Sequence, residues 1–455
     1  MTALEQLGRY VARSEPPAGE LRDKLELHII DAVAAWLASA ATPEGLRLLR
    51  FRTDMEQIAH ADRQLALDLS TRCALARLSE IDDIHLASMI TPGGIVVPAA
   101  LTVAAAVLPI GGQRIKPADV TAAMLAGYEV MTRFGRAIDG PAVLYRGIWP
   151  TYLAAPLGVA AVTARLFQLD EHASANALAL ALTLAAPGVG HHGCASTSRW
   201  FAIGCAATNG LTAVLAAKAG FTSDCKLMEG NFFPGIYAVT PDPSALTHGL
   251  GGSAVLPEVS FKPWCAARQT MAATQALREI IAEGVEPQKM DRIEVFVLPP
   301  HLAMIDHGVK GGDRASQLTS VQYRMAAAAL AGHFKEDVGQ SPVGLLPPLR
   351  DFMTKIKVAA DESLLADYPR RWPARVIVHA GAARYERLVT DVPGDPARSF
   401  DRAQVREKFV RFVEPVLGTE RTQRALARVS DALTRGDFAI IVEEIETACR
   451  DALTL

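Results

Sequence analysis

The sequence predicts a mainly α fold, a large all-helical domain carrying a smaller α/β insertion. Three observations lead there. Half of the 455 residues are apolar, aromatics are only 6%, and Ala is abundant, a composition suited to closely packed helices. From Leu21 to about Gly220 apolar residues recur at helical spacing, with breaks at Gly and Pro. After Pro263 short alternating runs appear between helices, and from Arg402 the pattern is helical again.

Taken in order, Leu25, Ile29, Ala32, Val33 and Trp36 share one face of a helix over Leu21 to Ala40. Val97 to Leu108, Val120 to Ile138, Tyr152 to Phe167, His172 to Leu184 and Trp200 to Ala217 follow, several apolar on nearly every side, as central helices of a bundle are. The breaks fall at Pro109-Ile-Gly-Gly, Gly140-Pro, Pro187-Gly and Gly220. Arg292-Ile-Glu-Val-Phe-Val-Leu, Lys355-Ile-Lys-Val and Arg375-Val-Ile-Val-His alternate like half-buried strands, interspersed with helices over Met271 to Glu283 and Ser320 to Gly332. Arg402 to Leu417, Arg421 to Thr434 and Ile440 to Leu453 close the chain. A chain of this length is expected to form more than one core. The division read here is a helical domain over 1–265, an α/β lid over 266–402, and C-terminal helices over 403–455 rejoining the first domain.

A net charge of −3 gives no reason to expect nucleic acid or an anionic membrane surface as partner. Cys73, Cys194, Cys205, Cys225, Cys265 and Cys449 form no C-x-x-C pair, the pattern of reduced thiols in a cytoplasmic protein rather than a disulfide or zinc framework. The early charges of the N-terminus do not suit a signal peptide. Ile84 to Gln113 is nearly free of charge, but Pro92-Gly93-Gly94, Pro98 and Pro109 interrupt it and it is rich in Ala, so buried helices are expected there and no membrane span.

Glu80-Ile-Asp-Asp-Ile-His85-Leu, followed by Thr91-Pro-Gly-Gly, gathers three carboxylates and an imidazole at the end of a helix-like segment. Ionised groups are costly to desolvate without partners. The cluster therefore reads as part of a pocket for polar chemistry, or as a solvated helix end whose acids cap the next turn. Four more segments place polar groups where core is otherwise expected: Tyr145-Arg146-Gly-Ile-Trp149-Pro-Thr-Tyr152, His191-His192-Gly-Cys194-Ala-Ser196-Thr-Ser198-Arg199-Trp200, Phe261-Lys262-Pro-Trp-Cys-Ala-Ala-Arg268-Gln269 and Ser320-Val-Gln322-Tyr323-Arg324. Ser196 to Ser198 can cap the helix that follows them, offering its N–H groups to a carboxylate.

Arg146, Arg199, Lys262, Arg268 and Arg324 together can form a cationic pocket for two or three carboxylates, since a guanidinium meets a carboxylate bidentately. Surface ion pairs are the competing account for Arg146 and Arg324, and packing is the competing account for Trp149 and Trp200. A lysine half-buried beside Trp264 can act as a base near neutral pH, with Tyr323 handing a proton across the opposite face. Neither the Asp82, Asp83, His85 set nor His191-His192-x-Cys194 has a recognised metal spacing, so no metal is expected. No Gly-rich dinucleotide loop follows a predicted strand.

These motifs, in this order over nearly the whole chain, resemble the MmgE/PrpD family. The residues that carry the resemblance are Glu80-Ile-Asp-Asp-Ile-His-Leu with Thr91-Pro-Gly-Gly, Trp149-Pro-Thr-Tyr, Ser198-Arg-Trp, Phe261-Lys-Pro-Trp and Ser320-Val-Gln-Tyr. The resemblance implies a homodimer, a helical domain with an α/β lid, a site between them and no metal or organic cofactor. It also implies catalytic roles for Lys262 and Tyr323 and matches Glu80 to the family's acidic residue. The departures are specific. Dehydratase and decarboxylase members carry histidines where this chain has Thr91 and Trp149, and a lysine where it has Ser198. The altered positions resemble those of iminodisuccinate epimerase members.

The resulting expectation is epimerisation of a small imino- or amino-linked dicarboxylate such as iminodisuccinate. Lys262 and Tyr323 move the proton, with His85 in reserve. Asp82 or Asp83 orients His85 or binds the substrate nitrogen, and Arg199 and Arg268 stabilise the carbanion. Glu80, Thr91, Arg146, Trp149, Ser198 and Gln322 complete the expected substrate contacts. The alternatives are a dehydratase or decarboxylase of a citrate-like acid, and a relative that binds a polycarboxylate without turning it over.

Overall fold

A computed structural model of the chain describes residues 1–58, 64–106, 115–186, 197–252, 254–309, 314–330, 338 and 346–454. A helical unit is built from the described residues up to Ser260 together with the last helices from Asp401 onward, and the described residues of Phe261–Phe400 form a second unit. The fold is mainly α with one small mixed sheet.

In the helical unit Gly19–Ser39 buries Leu25, Ile29, Ala32, Val33 and Trp36, the face its periodicity marks. From His28 onward every residue of this helix is buried, which explains why its second half is apolar all round. It packs on Gln64–Leu78 and Gly93–Ala106, and these in turn contact Pro117–Ala137, Pro150–Leu166 and Ser198–Lys218. Small side chains dominate these crossings: Ala154, Ala155, Ala160, Ala161 and Ala164 of Pro150–Leu166 are all fully buried. Arg402–Leu417 packs back on Gly19–Ser39. Its start is fixed by a reciprocal capping box between Asp401 and Gln404.

Pro98, expected as a break, lies inside the helix Gly93–Ala106. Its ring removes one helical N–H at a cost of about 3 kcal/mol. Ile95, Val96, Val97 and Leu101 are fully buried on the same two turns, and each contributes about 1.5–3 kcal/mol. Packing therefore outweighs the proline. This helix has 14 residues, or about 21 Å, short of the roughly 30 Å a bilayer core requires. One described helix, Ser198–Lys218, is long and apolar enough to span a bilayer, and 56% of its most apolar window is buried inside the fold. Its neighbours are Gln64–Leu78, Pro150–Leu166 and Glu171–Thr183, the setting of a core helix.

The second unit holds a four-stranded sheet of order β2-β1-β3-β4, with β1 Arg292–Val297, β2 Ile356–Ala360, β3 Ala374–Ala380 and β4 Ala383–Val389. β1 runs parallel to β2 and antiparallel to β3, with Val295 opposite Val358 and Val376. Inward Ile293, Val295 and Val297 are buried, as their alternation predicts. The helix Met271–Ala282 covers β3 and β4. β4 escapes the sequence expectation. It pairs with β3 through a two-residue turn opened by Gly381 at φ +59, a conformation suited to tight hairpins.

Candidate active site

The acidic segment begins where Gln64–Leu78 ends. Glu80 adopts a left-handed φ of 57°, which turns the chain back over the last helical turn. Arg77 there pairs with Glu80 at 3.1 Å and with Asp82 at 3.2 Å, all three being buried. Asp83 points elsewhere. It accepts from the Gly93 N–H at 2.7 Å and the Tyr128 hydroxyl at 2.8 Å, and meets His28 Nδ1 at 2.8 Å. Its charge thus sits at the N-terminus of Gly93–Ala106, where it is favoured.

The two glycines of Thr91-Pro-Gly-Gly follow from this geometry. A Cβ at Gly93 would lie 2.6 Å from Asp83 Oδ2, and one at Gly94 2.9 Å from Asp82 Oδ2. Only a residue without a side chain lets both carboxylates approach so closely. Beneath the loop, Lys408 forms a buried ion pair with Asp31 and donates to the Ile81 carbonyl at 2.6 Å. Burial pushes the Asp31 carboxyl up and the Lys408 ammonium down, and their mutual contact opposes both shifts.

His85 faces a different set of groups. It caps the short turn Leu86–Ser88 by accepting from Ser88 N, and its Nδ1 lies 2.9 Å from the Ser88 hydroxyl. Its Nε2 lies 3.0 Å from Arg136 and 3.4 Å from Glu258, which are themselves ion-paired. Burial holds its pKa below the usual imidazole range. The ring is neutral at pH 7 and committed at both nitrogens.

A second cluster forms on the other side of the acidic loop. Thr91 N donates to Thr151 Oγ1 at 3.0 Å, and the two hydroxyls are 3.2 Å apart. Trp149 precedes Pro150 at the start of Pro150–Leu166, its ring edge-on to Tyr152 with centroids 5.7 Å apart. The Arg199 guanidinium lies 5.4 Å from the Trp149 ring centroid and 4.5 Å from that of Trp200, an arrangement that favours the cation. Tyr152 is 2% exposed, and Arg77, Arg199, Glu80 and Asp82 are its charged neighbours. Burial, the largest influence, pushes its phenol up to about 12. Glu80, Asp82, Arg199 and Trp149 thus meet around two residues sequence reasoning did not select, Arg77 and Tyr152.

Arg146 lies apart from this cluster. It is exposed and donates to the carbonyls of Ala238 at 3.0 Å and Tyr237 at 2.7 Å. Ser198 is the first residue of Ser198–Lys218, Thr197 holds the cap position, and the Thr197 side chain makes no capping bond. His191, His192, Cys194 and Ser196 lie outside the described residues.

In the second unit, Lys262 is 2% exposed and follows Phe261, whose N–H donates to the Gly394 carbonyl at 2.9 Å. Two residues earlier in the chain, Ser260 is bridged to Ile84 of the acidic segment by paired backbone bonds of 2.9 and 2.8 Å. Arg268 is 1% exposed, donates to Asp395 at 2.5 Å and stacks near Trp372, which commits its charge within this unit. Ser320 caps Val321–Ala329 by accepting from Tyr323 N at 3.2 Å. Tyr323 is 9% exposed, with the Arg324 guanidinium 5.8 Å from its ring. Gln322 donates to Asp306 at 2.5 Å and borders an open cleft of about 550 Å³ with Arg350 and Lys357.

Residues 5–247 match the family model for the MmgE/PrpD N-terminal domain, and residues 264–432 match that for the MmgE/PrpD C-terminal domain. The chain belongs to the MmgE/PrpD family. It is 31% identical over 164 residues to a cis-aconitate decarboxylase from Aspergillus terreus, a stretch covering 36% of this chain and 33% of that protein. The Arg77, Glu80, Asp82, Tyr152 and Arg199 cluster lies entirely within the MmgE/PrpD N-terminal match. Tyr323 lies in the C-terminal match, and Lys262 falls between the two.

Sequence signals for the missed MmgE/PrpD residues exist but are faint. Arg77 stands three residues before Glu80, an ion-pair spacing at a helix end. Tyr152 carries a polar tip at a position that the apolar pattern of Pro150–Leu166 assigns to core.

Proposed function

We propose that this MmgE/PrpD chain is an enzyme acting on a small polycarboxylate, and that it epimerises the carbon α to a carboxylate in an imino- or amino-linked dicarboxylate such as iminodisuccinate. One observation carries the reading. Dehydratase and decarboxylase members have histidines at the positions of Thr91 and Trp149. Here Thr91 is buried and hydrogen-bonded to Thr151, and Trp149 is a platform under Arg199. A threonine hydroxyl and an indole do not titrate near neutral pH, so neither can deliver a proton to a departing hydroxide.

Epimerisation needs less. One base removes the Cα proton, the carboxylate takes up the electron pair as an enediolate, and one acid returns a proton on the opposite face. Lys262 and Tyr323 are assigned these two roles. Arg199 stabilises the enediolate charge. The base and acid then exchange protons with solvent to reset, and no group is lost from the substrate.

The test is incubation of a single iminodisuccinate stereoisomer in deuterated water, followed by proton NMR. Deuterium is expected at Cα together with the second stereoisomer. The second reading, decarboxylation or dehydration of a citrate-like acid, is favoured by the similarity to the Aspergillus cis-aconitate decarboxylase. Carbon dioxide or a new conjugated alkene without label at Cα would establish it instead.

We also propose that the chain pairs with a second copy of itself. Phe201, Cys205 and Leu215 share an exposed stripe of Ser198–Lys218, and Phe51 packs edge-on against Phe201 at 5.1 Å. Exposed apolar side chains of this kind on one helix face support a self-association surface. Light scattering is expected to return twice the 48.6 kDa chain mass; a monomer at micromolar concentration would exclude the pairing.

A further inference from the structure

We infer that the Tyr152 hydroxyl and the Arg77 Nε–H, beside Arg199, form a subsite that binds one carboxylate of the substrate and fixes its orientation. This rests on the polycarboxylate reading above. Tyr152 Oη and Arg77 Nε are both buried with no hydrogen-bond partner among the described residues. Buried polar atoms in that state are rare, and each calls for an explanation. Two in one cluster point to a common acceptor.

The chemistry of the donors defines that acceptor. A guanidinium can only donate. Burial keeps the phenol protonated at neutral pH, so Tyr152 is a donor there and not a base. The ligand atom must therefore be an acceptor. Glu80 and Asp82 already meet the charge of Arg77 through its two Nη atoms, which leaves the Nε edge for the ligand. Arg199 then supplies the attraction for a negative group, and Tyr152 supplies direction. A carboxylate oxygen meets both demands.

The site is rigid before the ligand arrives. The Tyr152 ring is held edge-on to Trp149 in the first turn of Pro150–Leu166. Arg77 is anchored through both Nη atoms. Little ordering remains to be done on binding.

The variant Tyr152→Phe removes one oxygen and nothing else. Because that oxygen has no hydrogen-bond partner among the described residues, the unligated variant is expected to melt at or above the wild-type temperature. Its affinity for the tightest-binding member of a set comprising succinate, citrate and iminodisuccinate, measured by calorimetry, is expected to fall about 10- to 100-fold. In turnover the loss is expected chiefly in KM. Equal affinity in variant and wild type would overturn the subsite, as would a lowered melting temperature of the unligated variant or failure of the wild type to bind any of the three acids. The deuterium experiment separates the two ideas. Label uptake by a wild type whose affinity is unchanged in Tyr152→Phe removes the subsite and keeps the epimerase. Weakened binding in the variant without label uptake by the wild type does the reverse.

Discussion

Lys262→Met is expected to abolish label uptake at the substrate Cα, lowering kcat/KM by about 10²–10⁴-fold, the usual contribution of a positioned general base. Methionine keeps a similar length and volume, so this buried site stays filled. The ability to take a proton is removed together with the charge, so a melting curve of the variant is read alongside to show that it is folded. Dicarboxylate binding is expected to survive in part, because Arg199 and Tyr152 are untouched. This variant also separates an enzyme from a relative that merely binds. A binder shows no turnover in the wild type for the substitution to remove. Exchange at the wild-type rate in Lys262→Met would move the base elsewhere.

The largest loss of stability is expected at Lys408. Lys408→Met leaves Asp31 buried without its counter-charge and removes the bond to the Ile81 carbonyl. Breaking one side of a buried ion pair typically costs about 3–5 kcal/mol. Urea denaturation is the measurement, read as a lower midpoint at unchanged slope. The double variant Asp31→Leu with Lys408→Met is expected to recover most of the loss, since an apolar replacement of both partners leaves no charge behind. If the single variant unfolds at the wild-type midpoint, the pair carries no net stability. The acidic loop would then be held by Asp83 and its three partners.

Much of the fold was legible because helical spacing and strand alternation are written directly in the apolar residues. Gly19–Ser39 and β1 lie where Leu25 to Trp36 and Ile293 to Val297 mark them. β4 was not legible, because Arg384 and Glu386 occupy one face and Arg387 interrupts the other between Tyr385 and Val389, which hides the alternation. The helix Ala3–Arg13 lay outside the expected set although Thr2 and Glu5 form a capping box at its start. In the site, Glu80, Asp82, Trp149 and Arg199 were legible as polar or aromatic groups beside apolar runs. Arg77 and Tyr152 were not. Each looks ordinary within its own helix, and its importance arises only where segments some 75 residues apart meet. The separate roles of neighbouring Asp82 and Asp83 were hidden for the same reason. Local sequence does not say that one pairs with Arg77 while the other fastens Gly93, His28 and Tyr128.

The Asp31–Lys408 pair also constrains the order in which this protein matures. Its two members are separated by 377 residues of chain. At about 5–20 residues per second of translation, Asp31 waits roughly 20–75 s for its lysine. Until then Asp31 lacks its counter-charge, and burial raises its carboxyl pKa so that an early-packed bundle would hold it protonated. The whole intervening sheet is translated first, so the buried ion pair is among the last contacts of the helical unit to form.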